Sequence, residues 1–548
     1  MYTRITRSGG RSYLQLVEGY RVDGKVRQRV VASLGRLDEL TEAKLAPLIS
    51  GLERALGRTR QAEPIEYRSA RAFGDLHALQ MLWNELGLGA ALSRALRSSR
   101  RSFDAEALIR TMVFNRLSCP DSKLGVLRWL ETVEMPGVPA EVTHQQLLRA
   151  MDCLIDRIDA VESAVLKLVR PLLDNEVTLL FYDLTTIRIH GESNGGVQDV
   201  RAFGRSKETH GPARQFVLGV VQSAEGLPLL HTVAPGNVAE VDTLRPMLEH
   251  ALKRFPVGRL VVVADRGLLS LDNVEEIRRL CGEAEQRLDF ILAVPARRYG
   301  DMPEIVRSLT FKDGLAEGRF ADYRLVAAHD PARAAEQTAR RRTRIEAVEA
   351  FGEQLAAKLD GQDTGAASRG RRASDRGAYN RFLRRLLEEQ LTRFIKTDLG
   401  AERFAFERDD KALADAEVLD GTLVLLTSID AAAMSTARIV ERYKALADIE
   451  RGFRVLKSDI DIAPVHHRLP ERIRAHALIC FLALLLHRLL RLRLKATGSA
   501  FSPQRALATL RQIQRHRIHI GETEHSGISR PTEEQLQLFE ELKLPPPR

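Results

Sequence analysis

Hydrophobic residues recur along this chain with two periods, and the places where one gives way to the other divide it. From residue 1 to about 40 the pattern alternates. Tyr13-Leu14-Gln15-Leu16-Val17 and the stretch from Val26 to Ser33 read as strands, with Asp23-Gly24 between them as a hairpin signal. From 72 to about 172 the period is helical. Leu76, Leu79, Leu82 and Leu86 share a face, Ala105 to Leu117 is a second periodic segment stopped by Cys119-Pro120, and Thr143-His144-Gln145-Gln146 is a capping box that opens a helix over Gln145–Ile158.

From 175 to 300 apolar runs alternate with amphipathic stretches. Val177–Tyr182, Phe216–Gln222 and Leu229–Val233 read as strands, the last two joined at Gly226-Leu227-Pro228. A helix over Val241–Arg254, a strand over Leu260–Ala264, a helix over Asn273–Leu280 and a strand over Phe290–Val294 follow. If the first helix is a crossover, the strand at 260 runs parallel to the one at 177. Three hairpin-like strands, then helix, strand, helix, strand, is the RNase H-like order. Between 300 and 430, Phe320–Ala328, Arg403–Arg408 and Thr422–Ser428 read as strands. Between the first two lie a charged helix (Ala332–Leu359, containing Arg340-Arg341-Arg342), a Gly/Ser/Arg linker (Gly361–Gly377) and a basic helix (Tyr379–Lys396). Thr436 to about Ile460 reads as one helix with its apolar stripe at Ile439, Leu446, Ile449, Phe453, Leu456 and Ile460. The run Ala477–Leu486 is too short to span a bilayer, so no membrane is expected.

Composition narrows the class. A chain of 548 residues with 44% hydrophobic content divides into two to four domains. Lys+Arg 83 against Asp+Glu 73 gives a net charge of +10 and a pI near 9.5, which favours a polyanionic partner. Arg4, Arg7, Arg11, Arg21, Lys25, Arg27 and Arg29 make the first strands a basic module, and Arg97, Arg100, Arg101, Arg110 and Arg116 lie on the helices that follow. Both groups fit phosphate binding and both fit a solvated surface. Cys119, Cys153, Cys281 and Cys480 are scattered, with no CxxC, which argues against zinc and disulfides and suits a reducing, cytoplasmic setting.

The candidate chemistry is acidic. Asp183 directly follows the apolar run Val177–Tyr182, and Asp265-Arg266-Gly267 follows the run Arg259–Ala264. A lone aspartate there is an ordinary turn residue, but two at the ends of two buried strands can share a divalent cation. On the later helix Tyr443, Glu450 and Lys457 are seven apart and share a face, while Glu441 points the other way. Arg454 lies one turn from Glu450, placed for a substrate phosphate or for an ordinary i,i+4 ion pair.

These segments together resemble one family. YDLTT at 182–186, ADRG at 264–267 and Y-x2-L-x3-E-x6-K from Tyr443 to Lys457 are similar to the signatures of bacterial insertion-sequence DDE transposases, in the IS-four superfamily and its IS-sixteen-thirty-four-like branch. Pro235-Gly236-Asn237, Leu423–Ser428, Phe453–Ser458, Pro464-Val465-His466-His467 and the helix Arg472–Leu486 extend the resemblance. One position departs from it: Leu446 stands where the family has arginine, so a phosphate contact is lost or falls to a neighbour such as Arg442.

The resemblance implies an α/β RNase H-like catalytic core interrupted by a β-rich insertion, with a helical N-terminal DNA-binding region. The expected division is a basic β-rich module (1–71), a helical DNA-binding region (72–174), the first part of the core (175–300), the insertion (301–430), the last core helices (431–495) and a helical tail (496–548). It implies that Asp183, Asp265 and Glu450 are catalytic and hold two Mg²⁺ ions, with Mn²⁺ as a substitute, and that Arg266, Tyr443, Arg454 and Lys457 touch DNA. The expected partner is double-stranded DNA, at the element's ends and at the target, bound by a dimer or larger assembly. The expected activity is cleavage and strand transfer. A catalytically silent DNA-binding relative is the alternative, and the three carboxylates argue against it.

Overall fold

The computed structural model describes residues 1–57, 65–97, 103–139, 141–172, 178–191, 199–205, 211–254, 259–264, 287–294, 302–320, 322–364 and 373–548. The chain forms two compact units, one of Met1–Ser69 with His516–Gly527 and one of Ala70–Arg515 with Ile528–Arg548. In the first, β1 (Tyr2–Ser8), β2 (Arg11–Val22) and β3 (Lys25–Arg36) make an antiparallel sheet. The β2–β3 turn is Asp23-Gly24, both with positive φ (49° and 72°), the backbone a tight hairpin requires. Val17 is the one buried side chain on these strands. A helix over Glu42–Ala55, which the periodicity did not reveal, follows with no buried residue. β4 (Ile65–Ala72), β16 (Gln514–Ile520) and β17 (Thr523–Ile528) form a second sheet in the order β17-β16-β4.

The second unit is built on a nine-stranded sheet. Its strands are β5 (Thr178–Arg188), β6 (Ala202–Arg205), β7 (Pro212–Gln222), β8 (Pro228–Pro235), β9 (Arg259–Ala264), β10 (Arg287–Ala293), β11 (Leu315–Phe320), β12 (Tyr323–His329) and β15 (Thr422–Thr427). Their order is β11-β12-β15-β10-β9-β5-β7-β6, with β8 also on β7. β5 pairs antiparallel with β7 and parallel with β9, and β9 pairs parallel with β10. The helix Glu240–Arg254 lies between β8 and β9 in sequence, so the crossover expected at 241–254 is present. The helix expected at 273–280 lies outside the described residues.

Side chains alternate across this sheet and bury on both faces. Leu180, Tyr182, Val262, Phe290 and Leu292 enter one cluster, and Phe181, Val261, Val263, Ile291 and Ala293 enter another. The first cluster also holds the helices of 74–169 and the helix Pro470–Ala496. The helical region of 72–174 is therefore no separate body: its core is continuous with that of the sheet. The helix Ala105–Ser118 shows why, since all fourteen of its residues are buried. Arg110 and Arg116, expected on a DNA-facing surface, are interior. Arg110 donates to Glu106 and to the Pro136 carbonyl, and Arg116 donates to the Asp461 carbonyl at 3.0 Å.

The insertion also differs from expectation. The strands at 315–329 and 422–427 belong to the main sheet, where Leu325, Val326, Leu425 and Leu426 are buried. What interrupts the sheet lies between β12 and β15 and is mainly helical. It comprises Pro331–Asp363, Asp375–Glu388 and Asp410–Leu419, with a two-stranded ladder of β13 (Ile395–Asp398) and β14 (Ala405–Arg408). It has its own core of Ile345, Val348, Phe382, Leu386, Leu391 and Phe404. The stretch read as a linker is helical up to Asp363 and again from Asp375, and 365–372 lie outside the described residues. The helix Pro470–Ala496 is, at 27 residues, long and apolar enough to cross a membrane, contrary to the reading of its apolar run as too short. Yet 94% of its apolar window is buried inside the protein, as expected of a core helix.

Candidate active site

β5 is the central strand at the site. Its register with β9 runs from Thr178 opposite Leu260 to Tyr182 opposite Ala264. Asp183 is the next residue, so it stands where the described parallel pairing stops. The strand itself does not stop there, as had been expected. It continues through Thr185, Thr186 and Ile187 to Arg188, paired to β7, because these β-branched residues favour an extended backbone. Asp183 is half-buried, and its Oδ1 accepts the backbone N–H of Leu184 at 2.7 Å. By alternation it shares the face of Phe181, the face that Val261 and Val263 also present. Asp265 and Arg266 follow Ala264 and lie outside the described residues.

The helix expected over 436–460 is two, Thr436–Lys444 and Leu446–Ser458, joined at Ala445. Ile439, Val440 and Leu446 pack in the cluster that holds Phe181, with Tyr443 half-buried against it. Phe453, Val455, Leu456 and Ile460 pack in the other cluster. The second helix thus begins against one face of the sheet and ends against the opposite face, and it packs on β5. Glu450 lies between these two anchor points, and its side chain is not among those described. Gly452 makes the approach close: a Cβ there would come within 3.0 Å of Gln222 and Arg488, and Gln222 is paired with Phe181. Arg454 is exposed and Lys457 is half-buried. Glu441 is exposed and bound to Arg438 at 2.8 Å, apart from the sheet face.

The loop after this helix is tied to β5. Val465 forms a parallel bridge with Ile189, with Val465 N–H to Arg188 O at 3.1 Å and His190 N–H to Val465 O at 2.9 Å. The His190 and His466 rings stack with centroids 4.9 Å apart. Sequence reasoning placed Arg116 on a surface and passed over Lys123, two buried cations near this loop. The signal for the first was the segment Ala105–Leu117, apolar around more of its circumference than a surface helix would be.

Residues 176–486 match the family described as Transposase DDE domain, more than half of the chain, and residues 2–64 match IS1634 family transposase, N-terminal domain. No curated protein matches the chain in sequence. Among solved structures, a cryo-EM structure of a piggyBac transposase synaptic complex with hairpin DNA is similar at 8% identity and a TM-score of 0.36, covering 83% of this chain and 81% of that one. That likeness is too distant to carry an argument. With the DDE match spanning the sheet, the insertion and the helices packed on them, and the N-terminal match on the first unit, the chain belongs to the DDE transposases of bacterial insertion sequences, in the IS1634 branch.

Proposed function

We propose that this transposase binds the ends of its insertion sequence and cleaves and joins DNA with Asp183, Asp265 and Glu450 as the catalytic carboxylates. One observation carries the reading: Asp183 stands where the β5–β9 register stops, on the face shared with Val261 and Val263, under a helix that crosses from one face of the sheet to the other. In sequence, residue 265 directly follows β9 as residue 183 directly follows the last described β5–β9 pair. Glu450 lies on the helix Leu446–Ser458, between the residues that anchor that helix to the two faces of the sheet.

Three carboxylates are a hard-oxygen donor set with few protein ligands per ion, which fits Mg²⁺ or Mn²⁺ and leaves positions for phosphate oxygens. Two such ions, when bound, activate a water or 3′-hydroxyl and offset charge on the phosphate and on the leaving oxygen. The protein's own contribution is orientation. The Leu184 N–H fixes one oxygen of Asp183, and the paired strands on either side of β5 hold its backbone still. Arg454 and Lys457, with Arg266 and Tyr443, are assigned to the DNA phosphates. Unequal exposure of the first two suits Arg454 for the outer contact and Lys457 for the inner one. The protein works as a dimer or larger assembly on paired ends, in the bacterial cytoplasm at the nucleoid.

Glu450→Gln keeps size and hydrogen bonding but removes the charge that would hold a cation. We expect it to abolish Mg²⁺-dependent nicking and joining of an end-containing DNA, a loss of at least about 100-fold, while gel-shift affinity changes less than about twofold. Glu441→Gln should leave both unchanged. Nicking at the normal rate by the Glu450 variant would refute the assignment.

A further inference from the structure

A cavity of about 600 Å³ lies beside the loop that is tied to β5. Its walls are Arg116, the turn Pro120–Lys123 that opens the helix Lys123–Thr132, and the segment Asp461–Arg472. Its charge is one-sided. Arg116, Lys123, Arg468 and Arg472 line it against Asp121 and Asp461 as the acids. Arg472 is already held by Asp152 at 2.8 Å, and Asp121 takes the Ser122 N–H at 2.6 Å.

Two of the cations are interior and have no carboxylate partner among the described residues. Lys123 is 5% exposed, and its Nζ has no hydrogen-bond partner among the described residues. Arg116 is 4% exposed, and its Nε has none either. Neither has an ion-pair partner among the described residues, although Arg116 reaches the Asp461 carbonyl. Burying an ammonium next to a guanidinium with no carboxylate paired to either is unfavourable. Burial, then the nearby Arg116 charge, push the Lys123 ammonium down to about 7. Burial, then Lys123, likewise hold His467 down at about 3. His476 is pushed well below its usual value chiefly by burial, and its Nδ1 is unpartnered.

We propose that this cavity is a phosphate-binding pocket, with Lys123 and Arg116 as the buried charges in its wall and Arg468 at its rim. Lys123 is also the first residue of its helix, so the amides of that turn add a favourable dipole to a ligand that the buried lysine already selects. The cavity is far larger than one phosphate, so the phosphate enters with more attached: a stretch of DNA backbone or a free nucleotide. Because the loop lining it is bridged to β5, occupancy bears directly on the strand that carries Asp183. The proposal does not rest on the carboxylate assignment, since it needs neither Asp265 nor Glu450.

The test uses the full-length protein and calorimetric titration with sodium phosphate, with adenosine monophosphate and with a short DNA duplex, each against sodium chloride of equal ionic strength. Lys123→Met removes a buried unpaired charge, so it should fold at least as well as the parent. We expect it to bind its anion about tenfold more weakly, the scale of one charge-assisted hydrogen bond. Loss of phosphate or nucleotide binding assigns the pocket to a free anion. Loss confined to the duplex assigns it to the DNA backbone. Should Lys123→Met fail to fold, Arg468→Glu serves instead, because Arg468 is exposed at the rim; a several-fold loss is expected. Variants that bind all three probes like the parent, or a parent response explained by ionic strength alone, overturn the proposal. Intact phosphate binding with dead Glu450→Gln chemistry, or the reverse, separates the two assignments.

Discussion

Glu162 shows how one buried carboxylate can join three elements. It lies on the helix Ile158–Val169, 3.2 Å from His231 of β8 and 3.3 Å and 3.1 Å from His250 and Arg254 of the helix Glu240–Arg254. Arg254 also donates to Ser163 Oγ at 2.9 Å and to the Asp159 carbonyl at 3.1 Å. Burial by itself would raise the Glu162 carboxyl, but the His231 and His250 rings beside it outweigh burial and hold the group at about 2, against an ordinary 4.5. A folded-state value below the unfolded one contributes stability that is present above about pH 4.5 and is lost as pH falls towards 2. The shift corresponds to roughly 3 kcal/mol at most. Urea titrations of the parent at pH 6 and pH 3 should show this loss superimposed on the general acid response. Glu162→Gln should cost about 1–3 kcal/mol at pH 6 and remove that part of the pH dependence. An unchanged pH dependence in the variant would show that Glu162 is not the responsible group.

At the scale of elements, β5 and β7 frame the site by close approach. A Cβ at Gly219 would stand 2.4 Å from Thr232 Oγ1 and 2.7 Å from the Tyr182 hydroxyl, so that glycine lets Tyr182 pack next to Asp183. Gly219→Ala should destabilise the protein by about 1–3 kcal/mol through overpacking, and should lower nicking more than DNA binding because the displaced residue adjoins Asp183. Equal midpoints for the two proteins in urea would contradict this packing. The strands here were legible in the sequence because Val261, Val262 and Val263 leave no polar face, the mark of a strand buried on both sides. The same logic misassigned Leu325 and Leu425, whose apolar runs also mark interior strands, because periodicity does not say which sheet a strand joins. The helix break at Ala445 left no signal, since neither glycine nor proline marks it. Asp183 was legible as the residue that follows a buried apolar run, but the continuation of its strand through Thr185 and Thr186 depends on pairing with β7, a long-range contact that local pattern does not encode. Arg116 was misplaced because a charged residue looks solvated until the whole circumference of its helix is counted.

For the whole molecule, the uneven spread of charge decides where DNA is expected to bind. Residues 1–69 carry 13 Lys and Arg against 8 Asp and Glu, a surplus of 5 within a net charge of +10. On β3, Lys25, Arg27 and Arg29 alternate onto one face of an exposed strand. Arg29 is offset by Glu18 at 2.7 Å, while Lys25 and Arg27 have no carboxylate partner among the described residues. The helices of 72–172 bury Arg110 and Arg116 and share the core of the sheet. The first unit is the better candidate for holding the element's ends. Each phosphate neutralised by a lysine or arginine releases condensed counterion, at about 0.9 in the slope of log K against log salt. Lys25→Ala combined with Arg27→Ala in the full chain should therefore lower that slope by about 2 for duplex DNA, with an unchanged melting temperature because both side chains are exposed. If these contacts serve specific ends, affinity should fall alike for end and random duplexes, since phosphate contacts position the protein without reading sequence. A slope equal to that of the parent would move the DNA surface off this sheet.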